Sequence, residues 1–145
     1  MKNVVVIYWS GTGNTQAMAE AVGKGAAGDD VNVVVKPVNA AAVSDVLQAD
    51  AVALGCPSMG CEVLEEGEME PFVQTLEKET LQGKPMGLFG SYDWGDGQWM
   101  RDWQERMEKQ GARLVAAGLA LRNTPDETGL DRCGELGATL IEAIN

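Results

Sequence analysis

Three observations predict a doubly wound α/β sandwich of three layers. Short apolar runs alternate with amphipathic stretches from end to end, and most of these runs are continuous rather than alternating. The first of them also feeds a glycine-rich turn that opens a helix-like segment. Continuous apolar runs suit parallel strands covered on both faces, and strands alternating with helices give the parallel sheet its crossovers. Element by element, the branched run at Asn3–Trp9 is the first strand, and the segment Thr15–Ala26, containing QAMAEAV, is the first helix. Val31–Val38 and Ala41–Gln48 form the second pair, and Ala51–Cys56 the third strand. Pro71–Gln82 is the third helix: proline suits a first helical turn, where its missing N–H is not needed, and Gly83 is a C-terminal stop. Met86–Ser91 is the fourth strand, and Gln98–Gln110 the fourth helix, closing at Gly111. Leu114–Leu121 is the fifth strand and Asp126–Ile144 the last helix. Five strands and five helices thus share a single domain, 1–145, without repeat, linker or low-complexity segment.

Composition bounds the function. The chain has 145 residues, 45% hydrophobic and 23% charged, enough for one substantial core. No apolar run is long enough to span a bilayer, and the N-terminus lacks the basic region and cleavage site of a signal peptide, which predicts a soluble cytoplasmic protein. Cys56, Cys61 and Cys133 are unpatterned and the chain has no histidine, so no metal site is expected. A formal charge of −11 repels nucleic acid and anionic membranes. It serves solubility, or it steers the chain toward a basic partner protein. The longest insertion, Pro57–Glu70, follows the third strand and carries MGCEVLEEGEME; so long a loop in so compact a domain is expected to be functional.

The stretch YWSGTGNT, Tyr8–Thr15, sits where the first strand enters the first helix. In open α/β sheets ligands bind at the carboxyl ends of strands, where neighbouring connections diverge. Backbone amides and a helix N-terminus there favour an anion, and Gly11 and Gly13 let the backbone curl around it. Ser10, Thr12, Asn14 and Thr15 add side-chain donors. The loop lacks the lysine of a Walker motif, and Gln16 stands where a dinucleotide fingerprint needs its third glycine. Nor do Ser10 and Gln16 supply the cysteine and arginine of a low-molecular-weight phosphatase loop. What remains is an uncharged phosphate cradle.

Taken with LGCPSMG and LFGSYDWGDG, in order and at the right spacing over about Lys2–Leu140, this loop makes the chain resemble the flavodoxins, specifically the short-chain type of anaerobic bacteria. The resemblance implies a five-stranded parallel sheet of order 2-1-3-4-5 and FMN held non-covalently. It places the FMN phosphate on Ser10, Gly11, Thr12, Gly13, Asn14 and Thr15. Amides hold a phosphate by charge-assisted hydrogen bonds of roughly 1.5–3 kcal/mol each, without the cations that would stabilise an added electron on the flavin. Trp9 is open to two roles, cleft wall or core.

By the same resemblance Pro57, Ser58, Met59, Gly60, Cys61 and Glu62 form the second flavin loop. Met59 packs on the inner ring face, the Gly60–Cys61 peptide lies beside N5, and Glu62 accepts from N3–H. Some relatives have serine at the Pro57 position, and many have Asp, Asn, Ser or Gly at that of Cys61. A type II turn over Met59–Glu62 would demand positive φ at Cys61, a strain relieved if the peptide flips on reduction. Ser91, Tyr92, Asp93, Trp94 and Gly95 form the third loop, with Trp94 stacked on the outer ring face. Trp99, Trp103 and Met107 recur at four-residue spacing on one helical face and are expected in the core.

Near this crevice lie Glu62, Glu65, Glu66, Asp93 and Asp96, with no basic residue among them. They would disfavour a reduced anionic flavin and lower its potential. The implied function is a low-potential one-electron carrier that shuttles between semiquinone and hydroquinone and serves redox partner proteins with basic surfaces, as a monomer and not an enzyme. An FMN-dependent quinone reductase is the alternative, but it needs a substrate pocket for which this short chain carries no insertion. A phosphorylatable receiver domain would need acidic residues after the first and third strands, where Tyr8-Trp9-Ser10 and Pro57-Ser58-Met59 stand.

Overall fold

The computed structural model describes residues 1–60 and 62–144. Strands β1 (Lys2–Tyr8), β2 (Val31–Pro37), β3 (Ala51–Gly55), β4 (Pro85–Tyr92), β5 (Arg113–Leu114) and β6 (Leu119–Arg122) form one parallel sheet. Their order is β2-β1-β3-β4-β5, with β6 also paired to β4. Helices α1 (Asn14–Ala26) and α5 (Glu127–Ile144) cover one face, and α2 (Val43–Gln48), α3 (Met69–Leu76) and α4 (Gln98–Lys109) the other.

The continuous apolar runs follow from this burial. Along β1, Val5 and Ile7 enter the core shared with Val73, Leu76, Trp99, Trp103 and Met107, whereas Val4 and Val6 face Met18, Val22, Cys133 and Leu140. Successive side chains of a strand point to opposite faces, so a strand between two helical layers must be apolar at every position. On the second face α1 and α5 approach until a Cβ on Gly25 would overlap the Gly134 carbonyl, and one on Gly137 the Val22 carbonyl.

Three expected elements differ in extent. The fifth strand is interrupted: Met86 pairs with Leu114, an offset of 28, and Phe89 with Leu119, an offset of 30. Two extra residues therefore bulge out between β5 and β6, and there the Gly118 amide donates to Gln104 Oε1 of α4. The third helix begins at Met69 and ends at Leu76, short of Gln82. Leu81 is buried in the core and donates its amide to the Gln110 carbonyl, a position the chain reaches only by leaving the helix. The second helix starts at Val43 after a single 3-10 turn at Val38–Ala40, where Asp45 Oδ2 accepts from the Ala42 amide.

Candidate functional site

Register brings the three loops together. Tyr8 pairs with Gly55, and Gly55 with Phe89, so the segments leaving β1, β3 and β4 emerge side by side at the carboxyl ends of adjacent strands. From β1 the chain crosses to β2 on one side and later returns to β3 on the other, which makes this the point where the connections diverge.

The loop after β1 closes on itself. The Gly13 amide donates to Ser10 Oγ (3.1 Å), and the Asn14 amide lies 3.5 Å from Thr12 Oγ1. The Gly11, Thr12 and Thr15 amides have no acceptor among the described residues. Gly13 precedes α1 at φ 97°, a left-handed turn that aims the helix N-terminus into the loop. Below it the buried Thr15 and Ser91 hydroxyls share a hydrogen bond (3.2 Å) that ties the loop to β4. Trp9 resolves as wall and core support together: it packs against the core, its ring lies 3.1 Å from where a Gly11 Cβ would sit, and its Nε1 donates to Glu68 Oε1 (3.1 Å).

The loop after β3 is more ordered internally than its length predicts. Ser58 donates its amide to the Ser91 carbonyl (2.9 Å). Met59 and Val63 exchange backbone hydrogen bonds of 2.9 and 3.0 Å, which draws the two sides of the loop tip together. Gly60 and Glu62 both adopt positive φ, 49° and 55°. Cys61, with the strain expected of it, lies outside the described residues. Cys56 is buried at the root of the loop, and burial pushes its thiol up to about 12.

Glu65 has a role that the charge count did not suggest. Its carboxylate accepts from the amides of Gly67 (2.7 Å), Glu68 (2.7 Å) and Met69 (2.9 Å), capping the start of α3. Partial burial works against ionisation, yet the three donors outweigh it and hold the carboxyl below its ordinary range. An acidic residue four positions before the first helical residue was the available signal.

The loop after β4 enters α4 through Gly97 at φ 88°. Trp94 is 59% exposed, the only tryptophan so placed, while Trp99 and Trp103 are buried as expected with Met107. Trp99 Nε1 donates to the Cys56 carbonyl (3.1 Å). Glu62 reaches across: its Oε1 accepts from both the Asp96 and Gly97 amides, each at 3.1 Å. The sequence led to the expectation of a rim without basic residues, but the structure brings Arg101 onto it from α4: Arg101 donates to the Asp96 carbonyl (3.0 Å) and to Oδ1 of its carboxylate (3.1 Å).

A cleft of about 140 Å³ joins the three loops, lined by Trp9, Gly11, Thr12, Asn14, Pro57, Ser58, Met59, Ser91, Tyr92 and Asp93. Glu62 lines a neighbouring recess of about 250 Å³ against α4. A larger hollow of about 550 Å³ follows the α1–α5 groove, but it gathers no loop from the strand ends.

The family model described as Flavodoxin matches residues 6–137. The chain is similar to a flavodoxin of Clostridium beijerinckii, 48% identical over 135 residues, covering 91% of this chain and 94% of that protein. A flavodoxin of Megasphaera elsdenii is 43% identical over 143 residues, covering 97% and 99%. Among solved structures, two-electron reduced Megasphaera elsdenii flavodoxin superposes with a TM-score of 0.84 at 41% identity, over 96% of this chain and 98% of that one.

Proposed function

The chain belongs to the flavodoxin family, and from that premise we propose how its own residues hold FMN and govern electron transfer. It is an FMN-binding electron carrier, not an enzyme, and it passes electrons to redox partners. One observation carries the assignment of the site: an uncharged loop whose amides and hydroxyls converge at the divergence point of the sheet, opened onto α1 by a left-handed glycine.

The residues present fit FMN. A terminal phosphate needs several N–H and O–H donors on one centre; the Ser10–Thr15 loop offers the Gly11, Thr12 and Thr15 amides, which have no acceptor among the described residues, the Ser10 and Thr12 hydroxyls, bonded only within the loop, and a helix N-terminus. Pro57 has no N–H, so the second loop contributes Ser58 and no donor before it. Met59 offers a polarizable thioether to the inner ring face and exposed Trp94 an indole to the outer one. Glu62 would accept from the pyrimidine N3–H, and the amides of the Ser91–Gly95 loop would shape the pocket around the pyrimidine oxygens.

Bound FMN supplies one-electron redox chemistry, and the protein supplies orientation and field. Around the cleft Glu62, Glu66, Glu68, Asp93 and Asp96 oppose added negative charge, and the nearby guanidinium of Arg101 is already paired to Asp96. This places the carrier at low potential. The same acidic surface steers basic-surfaced oxidoreductases to the flavin edge. Residues 1–145 act as one domain, as a monomer in the cytoplasm; in keeping with this, no helix among the described residues is long and apolar enough to cross a membrane.

Anaerobic reductive titration of the protein reconstituted with FMN tests this reading. Flavin bands should appear on binding, followed by a resolved one-electron step before full reduction. A protein that stays colourless after incubation with FMN would end it.

A further inference from the structure

The Trp9 indole lies between two loops, and its two edges are engaged differently. The pyrrole edge donates through Nε1 to Glu68 Oε1 at 3.1 Å. The benzene edge backs Gly11: a Cβ built there would meet Cη2 at 3.1 Å and Cζ3 at 3.3 Å. Gly11 is not among the residues at positive φ, so contact with the ring, and not a left-handed turn, is what a side chain there would violate. Both ends of this chain of contacts are anchored. The Trp9 amide donates to the Gly55 carbonyl (3.0 Å), which fixes the root of the indole to β3. Glu68 stands at the N-cap of α3, its amide held by Glu65 Oε1 (2.7 Å) and its carbonyl accepting from the Phe72 amide (3.2 Å). The Glu68 side chain caps nothing in the helix and is directed to Trp9 instead. The last torsion of a tryptophan side chain has a broad minimum, and a hydrogen bond at one edge of the rigid ring fixes the other edge.

We infer that Glu68 is a positioning residue for the loop after β1: acting through the Trp9 indole, it holds the ring against Gly11 and so keeps the Gly11 and Thr12 amides, which have no acceptor among the described residues, turned together toward an anion. This rests on the reading that Ser10–Thr15 receives the FMN phosphate. It adds that a carboxylate serves phosphate binding although its charge opposes it. Those two effects have opposite signs, and substitutions separate them. Glu68→Gln removes the charge and keeps an acceptor oxygen for Nε1–H. Glu68→Ala removes both. Trp9→Phe removes the donor and leaves the carboxylate in place.

The test measures dissociation constants of the apoprotein for FMN and for riboflavin, whose ratio isolates the phosphate because both ligands share the flavin ring. In Glu68→Ala and in Trp9→Phe the preference for FMN should fall roughly two- to tenfold, the worth of one hydrogen bond. In the Trp9→Phe background Glu68→Ala should cost nothing further, since both remove the same contact. Glu68→Gln should stay at or above the wild-type preference. A Glu68→Ala preference equal to the wild type, a Glu68→Gln preference as low as that of Glu68→Ala, or losses that add in the double variant each overturn the inference and leave the phosphate loop standing. A wild type that binds both ligands alike overturns the phosphate reading, and the inference with it. The indole N–H resonance of Trp9, identified by its loss in Trp9→Phe, is a second readout. It should shift in Glu68→Ala far more than in Glu68→Gln, and a resonance unmoved in Glu68→Ala overturns the inference as well.

Discussion

At the scale of single residues, the candidate site separates groups free to meet a ligand from groups that hold the loops in place. Thr12 is exposed, and its hydroxyl contacts only the Asn14 amide, so it is free to turn to a phosphate. Thr15, by contrast, is buried against Ser91 and secures the loop to β4. Thr12→Ala should therefore weaken FMN binding about tenfold, the low end of a charge-assisted hydrogen bond, and leave riboflavin binding unchanged. Isothermal titration with both ligands checks this; equal losses would show that Thr12 faces something other than the phosphate. The tryptophans divide in the same way. Trp99 spends its N–H on the Cys56 carbonyl and Trp103 lies fully inside, which leaves exposed Trp94 and the cleft-wall Trp9 as the indoles that a ligand can reach.

At the scale of elements, the start of α3 depends on one side chain. Glu65 satisfies three amides that a helix N-terminus would otherwise leave without partners. Glu65→Ala should cost about 1 kcal/mol of stability at neutral pH, as loss of a cap does. The pH dependence follows from the direction of the shift. Because the folded carboxyl titrates below its ordinary value of 4.5, its contribution is complete above that pH and disappears as the pH falls through the lower folded value. Urea denaturation of wild type and variant between pH 7 and pH 3 should show the gap closing with acid, and a gap independent of pH would mean that the charge is not what caps the helix. Farther along, Arg106 of α4 bonds both Glu70 and Glu77, at 2.7–3.0 Å, and fastens α3 to α4 behind the flavin loops.

At the scale of the molecule, the charge of −11 is a field around the cleft rather than a property of any one contact. Electron-transfer rates with a basic partner should fall as salt rises, because screening removes long-range attraction. Glu65 and Asp96 are poor probes of this, since one caps α3 and the other pairs with Arg101. The double variant Glu66→Gln, Asp93→Asn changes exposed rim charges instead and should flatten the salt dependence measured by stopped flow. A wild-type rate insensitive to salt would reduce the charge to a solubility device. Local pattern was enough for much of this molecule. Alternating burial wrote continuous apolar runs into β1, β3 and β4, and the need for φ > 0 and close approach wrote glycines into the loop after β1, so the fold class and the candidate cradle were legible without coordinates. The order 2-1-3-4-5 and the roles of the flavin loops came through resemblance rather than periodicity. Only the tertiary structure decided that the fifth strand bulges beside α4, that Glu65 faces backbone amides rather than solvent, and that Glu62 joins two loops thirty-odd residues apart in sequence. The reason is physical: periodicity records which face of an element is buried, but a carboxylate carries the same letter whether it meets water, a helix end or a second loop. That choice is made when packing fixes which donors lie within about 3 Å of it.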